Sequence, residues 1–326
     1  MNNIYIVTLS VFLISLLANG WLINYLTKFN IIDFPNERSN HLIPTPRGGG
    51  IAIIVSLLIG AIAANLLNND IIIVLSGAVL LSIVSFIDDK KGLPIIIRLI
   101  CQIIAVIMII ATLPDNQHVF HDFFPLYFDR ILAALSLLWF INCFNFMDGI
   151  DGITATQTTH IAASVIILSY FIALPPNDKS LCYLIIASSL GFLKWNWHKA
   201  KIFMGDVGSI PLGLILGWLL IKISADGRLI SALIIPAYYI ADSGFTLLKR
   251  LFEGKKIWQA HSEHFYQKAV RNGKSHSNVV IKIIIVNLFL LILAILSLKT
   301  PLISLFVTIF LISGFLYYLQ RSKSYI

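Results

Sequence analysis

Ile131-Leu-Ala-Ala-Leu-Ser-Leu-Leu-Trp-Phe-Ile141 runs without a break into Asn142-Cys-Phe-Asn145-Phe-Met-Asp148-Gly-Ile-Asp151-Gly152. The first half is apolar enough to enter a bilayer. The second half concentrates two amides, two carboxylates and two glycines. Burying such a cluster costs free energy unless each group finds a partner, and ionisable groups at the end of a membrane helix point to function. The junction predicts a helix that crosses lipid and delivers a chemically active end to one surface. We expect that end to hold a divalent cation and a nucleotide, with the rest of the chain built around it.

Working outward, the composition agrees. The chain has 326 residues, 58% hydrophobic and 12% charged, with a mean hydropathy of +0.86. Soluble domains are about half apolar and a quarter charged. An all-α polytopic membrane protein is expected, in one domain over residues 1–326. The net charge of +8 sits in short loops between apolar runs, which favours lipid surfaces and phosphates over nucleic acid. Cys101, Cys143 and Cys182 lie in apolar runs without metal-type spacing and read as small core residues. The first run has neither a basic flank nor a small-residue cleavage site, so it reads as a retained span.

About twenty apolar residues cross a bilayer. That rule marks spans near 4–27, 49–67, 71–87, 95–112, 131–147, 153–174, 181–194, 209–223, 229–247, 281–298 and 301–318. Of the 24 Lys and Arg residues, only Arg130, Lys179, Lys222, Arg228 and Lys299 fall on one side of this arrangement. The other side carries the rest, Arg38 and Lys323 among them, and is the cytoplasmic one. The N-terminus is then outside and the C-terminus inside. The cytoplasmic loops are about 28–48, 88–94, 148–152, 195–208 and 249–280, and every polar cluster of interest lands on that face.

Asn142, Asn145, Asp148 and Asp151 recur every third residue. At about 100° per residue, Asp151 ends opposite Asn142, so the four cannot share one face of a continuous helix. Gly149 and Gly152 are expected to end or bend it, leaving Asn142 and Asn145 on the last turns and Asp151 beyond. Asp88-Asp89-Lys90-Lys91-Gly92 closes the third run. Two carboxylates at a helix C-terminus are unfavourable by up to about 1 kcal/mol each, so they call for a cation, a proton to move, or both. Arg47-Gly48-Gly49-Gly50 opens the second run, where glycines allow close backbone approach or leave N–H groups for an anion. Asp206, in Gly205-Asp206-Val-Gly208-Ser209, is either a helix N-cap or a cation ligand. His261-Ser-Glu-His264 would face one way on a helix. With basic neighbours it suits a diphosphate. Zinc would need a third ligand, and none lies at useful spacing.

Taken in order, Pro44-Thr-Pro46-Arg47-Gly-Gly-Gly50, Asp88-Asp89-x-x-Gly92, Asn142-x-x-Asn145-x-x-Asp148-Gly-x-Asp151-Gly152 and Gly205-Asp206-x-Gly208-Ser209 resemble the motifs of the polyprenyl-phosphate N-acetylhexosamine-1-phosphate transferases. These are the bacterial inner-membrane enzymes that begin O-antigen, enterobacterial-common-antigen and teichoic-acid lipid intermediates. The resemblance covers about residues 30 to 270. The related peptidoglycan translocase usually has Thr-Pro-Thr-Met-Gly-Gly where this chain has Thr45-Pro46-Arg47-Gly48-Gly49-Gly50, and adjacent histidines where this chain has Ala260-His261-Ser-Glu-His264. The chain looks more like the shorter O-antigen-initiating branch, some of whose members use N-acetylfucosamine or related deoxy sugars.

The resemblance implies magnesium (with manganese able to substitute) on Asp206 and Asn145, with Asp148 in support. It implies Asp88 at the polyprenyl phosphate with Asp89 beside it, Asp151 on the uracil, and His261 and His264 at the diphosphate. Arg47 and Asn142 join the substrate-binding set. Undecaprenyl phosphate would attack the β-phosphorus of a UDP-N-acetylhexosamine (GlcNAc, FucNAc, QuiNAc or similar) on the cytoplasmic face and release UMP. Membrane lipid is a further partner, a homodimer is allowed, and nucleic acid is excluded. The alternative is a transporter or flippase for a polyprenyl-linked or anionic solute, for which Pro236 and Lys222 in apolar runs are the hints.

Overall fold

The computed structural model describes residues 2–36, 39–256, 259 and 261–321; Arg38, Ala260 and Lys323 lie outside the described residues. Helices dominate: α1 (Asn2–Lys28), α2 (Gly50–Ala63), α3 (Asn69–Lys91), α4 (Ile95–Ile110), α5 (Leu126–Phe146), α6 (Ile153–Leu168), α7 (Pro176–Asn196), α8 (Asp206–Ile223), α9 (Leu229–Ile234), α10 (Ala237–Phe252), α11 (Phe265–Arg271), α12 (His276–Leu296) and α13 (Pro301–Gln320). Each apolar run read from the sequence falls on a helix. Among the described residues, six helical segments are long and apolar enough to cross a membrane: Asn3–Lys28, Asn69–Lys91, Leu126–Phe146, Asp206–Ile234, His276–Leu296 and Pro301–Gln320. The ninth run is broken, with α9 and α10 meeting at Pro236, where the missing N–H and the ring interrupt a helix.

Local chemistry sets the ends. The Asn68 side chain accepts from Ile71 N–H at 2.9 Å to start α3, and Gly92, at φ +65°, ends it. Ser275 caps α12. Pro176 and Pro301 occupy first turns, where a missing donor costs nothing.

Helix α8 is the hub. Its most apolar 18-residue window is 94% buried, whereas the corresponding windows of the other long spans are 22% to 39% buried. The exposed faces of those outer helices are apolar, as at Leu9, Ile104, Leu288 and Phe310, which suits lipid as solvent. Helices α3 and α5 pack closely on α8, and α1, α6 and α7 pack together beside it. At its N-terminal end α8 meets the start of α2. A Cβ on Gly50 would lie 2.2 Å from the Gly208 Cα, so both positions are held to glycine by contact between backbones. A two-residue antiparallel pair, β1 (Ile32–Asp33) with β2 (Thr45–Pro46), ties down the loop that follows α1.

Candidate active site

Arg47, Asp89, Asn145, Asp148, Asp151 and Asp206, from four of the stretches read from the sequence, converge at the end of the molecule where α8 begins. The segment before α8 runs alongside the segment before α2. Phe203 N–H donates to Pro46 O (2.8 Å), and the N–H groups of Gly48, Gly49 and Gly50 donate to Phe203 O, Phe203 O and Met204 O at 3.0, 2.9 and 3.0 Å. The expectation of free glycine N–H groups for an anion is therefore corrected: the backbone consumes them. What the triple glycine provides is the close approach that sets Arg47 against Asp206.

Arg47 is the cation of this junction. It is hydrogen-bonded to Asp206 and lies 3.5 Å from Asp89 at the end of α3. Asp206, against the opposing effect of burial and with help from Asp89, raises its pKa further. The Ser82 hydroxyl donates to Val207 O at 3.1 Å, locking α3 beside the start of α8. A cavity of about 200 Å³ opens here, and Arg47, Asn145, Asp148, Asp151 and Asp206 all line it. Asn145 donates its amide N–H to Ser209 Oγ at 2.9 Å, which fixes the side chain and leaves its oxygen as the group able to accept or to ligate a cation. Asp148, in the turn after α5, is half-buried. Desolvation pushes its carboxyl up to about 7; Asp206 adds to the rise, and the Thr154 hydroxyl and Arg47 oppose it. A second, wider cavity of about 550 Å³ adjoins. It shares Asp33 and Arg47 with the first and adds Asp89, Lys90, Lys91 and the apolar Phe29 and Ile31.

Helix α5 ends at Phe146, and Gly152 takes φ +79° before α6, as the three-residue spacing required. Asp151 is 6% exposed. Its Oδ2 accepts from Ala200 N–H at 3.2 Å and lies 2.8 Å from His198 Nδ1 and 3.1 Å from His276 Nδ1. Burial alone would raise this carboxyl, but hydrogen bonding and charge from His276, with His198 and Ala200, hold it below its ordinary range.

Four expected site residues are placed elsewhere. Asp88 lines neither cavity: its oxygens accept from Leu93 N–H (2.6 Å) and Arg98 (2.7 Å), closing the turn between α3 and α4. Asn142 pairs its amide with Gln102 on α4, donating at 2.9 Å, because two amides buried between helices satisfy each other. His261 and His264 line neither cavity. They precede α11 rather than lying on a helix, and their rings sit 4.9 Å apart. Burial, with His264 and Arg250 adding, lowers the His261 pKa to about 4, leaving it neutral at pH 7. His264 is 2% exposed, its Nδ1 3.2 Å from Asp242. The loop reaches the main cavity through Gln267 instead.

Asp242 on α10 is what holds that loop. It is fully buried and accepts from Phe265 N–H, Tyr266 N–H and Tyr238 Oη at 2.9, 3.1 and 3.1 Å. Tyr266 in turn donates to Phe146 O at 3.0 Å, so α11 is fastened to the end of α5. The sequence carried a signal for it: a carboxylate inside an apolar run. His198, His276 and Asn196 were also missed, since each lies in a loop or at a helix end without a spacing pattern. Lys222, one of the two hints of a transport path, is bound to Asp178 at 2.7 Å and Asp70 at 3.2 Å, a closed ion cluster joining α3, α7 and α8.

Fold and site define an all-helical, multi-pass membrane protein with an acidic, arginine-bridged cavity at the foot of its central helix. The model of glycosyl transferase family 4 matches residues 71–224. A probable undecaprenyl-phosphate N-acetylglucosaminyl 1-phosphate transferase of Bacillus subtilis is 30% identical over 87% of this chain and 82% of its own length. A decaprenyl-phosphate N-acetylglucosaminephosphotransferase of Mycolicibacterium smegmatis is 27% identical over 87% and 79%. A phospho-N-acetylmuramoyl-pentapeptide-transferase of Desulforapulum autotrophicum is 27% identical over 89% and 91%. The chain belongs to the polyprenyl-phosphate N-acetylhexosamine-1-phosphate transferase family.

Proposed function

We propose that the chain transfers an N-acetylhexosamine 1-phosphate from a UDP-sugar to undecaprenyl phosphate at the cytoplasmic face of a bacterial inner membrane, as the first lipid-linked step of a surface polysaccharide. The observation that carries this reading is the convergence of Asp206, Asn145 and Asp148 on one cavity with Arg47. Asp206, the Asn145 amide oxygen and Asp148 are hard oxygen donors, and magnesium combines one or two of these with substrate phosphates and waters. The residues fit the ion, which when bound neutralises charge on the diphosphate.

This chain's own groups then do the positioning that phosphoryl transfer chiefly needs. Arg47, on the wall common to both cavities, contacts phosphate oxygens. The wider cavity, basic at Lys90 and Lys91 and apolar at Phe29 and Ile31, receives the polyprenyl phosphate, with Asp89 the carboxylate beside it. A lipid phosphate oxygen attacks the β-phosphorus, the bond from that phosphorus to the bridging oxygen breaks, and UMP leaves with the bridging oxygen. The named contacts of Asp151 all fall on Oδ2, leaving Oδ1 to accept from the uracil N3–H.

The eleven apolar runs serve as crossings, the N-terminus outside and the C-terminus inside, and Asp33, Asp89, Asp148 and Asp206 then share the inner face. Arg47-Gly48 in place of Thr-Met, and a loop without adjacent histidines, favour the O-antigen branch and a GlcNAc, FucNAc or QuiNAc donor. Purified protein incubated with undecaprenyl phosphate, magnesium and a panel of UDP-sugars should release UMP with one of them and require the added metal. Solute flux without UMP would overturn the reading in favour of transport.

A further inference from the structure

At the wall of the main cavity, Asp151, His198 and His276 form a cluster whose two imidazoles the proposed transfer does not use. The three come from separate parts of the chain: the turn between α5 and α6, the segment after α7, and the first residue of α12. One ligand atom from each lies within 4.8 Å of the others. Both imidazoles present Nδ1 to the same carboxylate oxygen, at 2.8 and 3.1 Å. The His276 ring is oriented from behind. Its Nε2 lies 3.0 Å from Asn40 O, and since a carbonyl can only accept, Nε2 carries the hydrogen. Nδ1 of a neutral ring is then a lone pair, and Asp151 N–H points at it from 3.2 Å. Facing a carboxylate oxygen at 3.1 Å, that nitrogen is favourably placed only with a cation between them, either a ring proton or a metal ion. An outer ring nitrogen bonded to a backbone carbonyl is also the arrangement that fixes histidine ligands at metal centres.

We propose that Asp151, His198 and His276 bind a zinc-class divalent cation, at a site separate from the oxygen donors around Asp206. Two imidazoles and one carboxylate select borderline metals such as Zn²⁺ or Co²⁺ over magnesium. Three protein ligands leave an open position for water. The site has a way in: a compartment of about 190 Å³, lined by His41, Lys199 and Phe203 as well as the three ligands, adjoins it. Asp151 and His276 are each 6% exposed, so the cage is built, while the His198 side chain is 28% exposed and reaches it from the solvent side. Bound metal cross-links the three segments that form one wall of the main cavity.

The test uses the full chain in detergent, stripped with chelator and titrated with Co²⁺ as the spectroscopic probe, in excess Mg²⁺. The expected result is one Co²⁺ per chain with visible ligand-field bands, and affinity weakened at least about tenfold in His198→Ala and in His276→Ala. Asp206→Ala should keep the bands. Because His276 also holds Asn40, His198→Ala on its half-exposed ring decides the matter should His276→Ala fail to fold. Absence of the bands, persistence of them in His198→Ala, or their loss in Asp206→Ala would each overturn the site, the first showing that a shared proton alone bridges the cluster. The readout needs no transferase turnover, so its failure leaves the proposed reaction standing, and an inactive protein leaves this site testable.

Discussion

Asp206, Asn145 and Asp148 reach one cavity from two places in the chain, the end of α5 and the start of α8. Asp206→Ala is expected to lower UMP release by about 10²–10³-fold, the usual cost of removing one preorganised group at a reacting phosphate, while insertion and elution profile stay normal. Unchanged turnover would remove Asp206 from the metal assignment. Asp148 has a pH signature. Its carboxyl, at about 7 through burial, is raised from the ordinary range near 4. A raised carboxyl stabilises the fold below its ordinary value and loses that contribution as pH climbs through the raised one. Thermal stability of metal-free protein should therefore fall between about pH 4 and 7. Magnesium should bind with release of a proton near neutrality, a release that calorimetry in buffers of different ionisation enthalpy measures and that Asp148→Asn abolishes. Asp206, Asn145 and Asp151 were legible because polar side chains in an apolar setting ask for a reason. The contacts of Asp88, Asn142 and His264 were not legible for the complementary cause: the sequence shows that a group needs a partner, but not that Arg98, Gln102 or Asp242 is the one beside it.

At the scale of elements, the site depends on two helix starts in backbone contact. Gly208→Ala places a Cβ 2.6 Å from Gly50 Cα. Overpacking of this kind costs about 1–3 kcal/mol, and because it parts Arg47 from Asp206, UMP release should fall at least as far as in Arg47→Lys, with a lowered melting temperature. A melting temperature and turnover equal to those of the parent would show that the contact is not needed. Asp242→Asn keeps the size of the side chain but removes a charge that receives several donors, each such bond contributing about 1.5–3 kcal/mol. Limited proteolysis should then cut the segment between α10 and α11 faster, with a smaller loss of turnover than in Asp206→Ala. The apolar runs were legible as helices from length and hydropathy. The break at Pro236 was noticed only as an isolated residue, and the fastening of α11 was not visible, because both depend on what packs alongside.

For the whole molecule, one helix shielded on nearly every side and a ring of lipid-suited neighbours make a body whose orientation is a single property. With the three native cysteines replaced, Gly254→Cys in the loop after α10 should resist a membrane-impermeant maleimide added outside intact cells, while Asn116→Cys between α4 and α5 should react. The opposite pattern would invert the proposed sidedness and put the cavity on the wrong face for a cytosolic nucleotide. The Lys222 cluster with Asp70 and Asp178 closes the other end of α8, which is why a charge that looked like a relay is a clasp. Counting basic residues gives the proposed sidedness; it could not give the clasp, whose members lie far apart in the chain.

Arg47 sits on the partition between the two cavities, bonded to Asp206. On the reading proposed here, a phosphate that draws the guanidinium toward itself uncovers a carboxylate at the same moment. Nucleotide sugar and magnesium should therefore display synergy, each tightening the hold on the other, and Arg47→Gln should erase that thermodynamic coupling while leaving a residual, independent affinity for each.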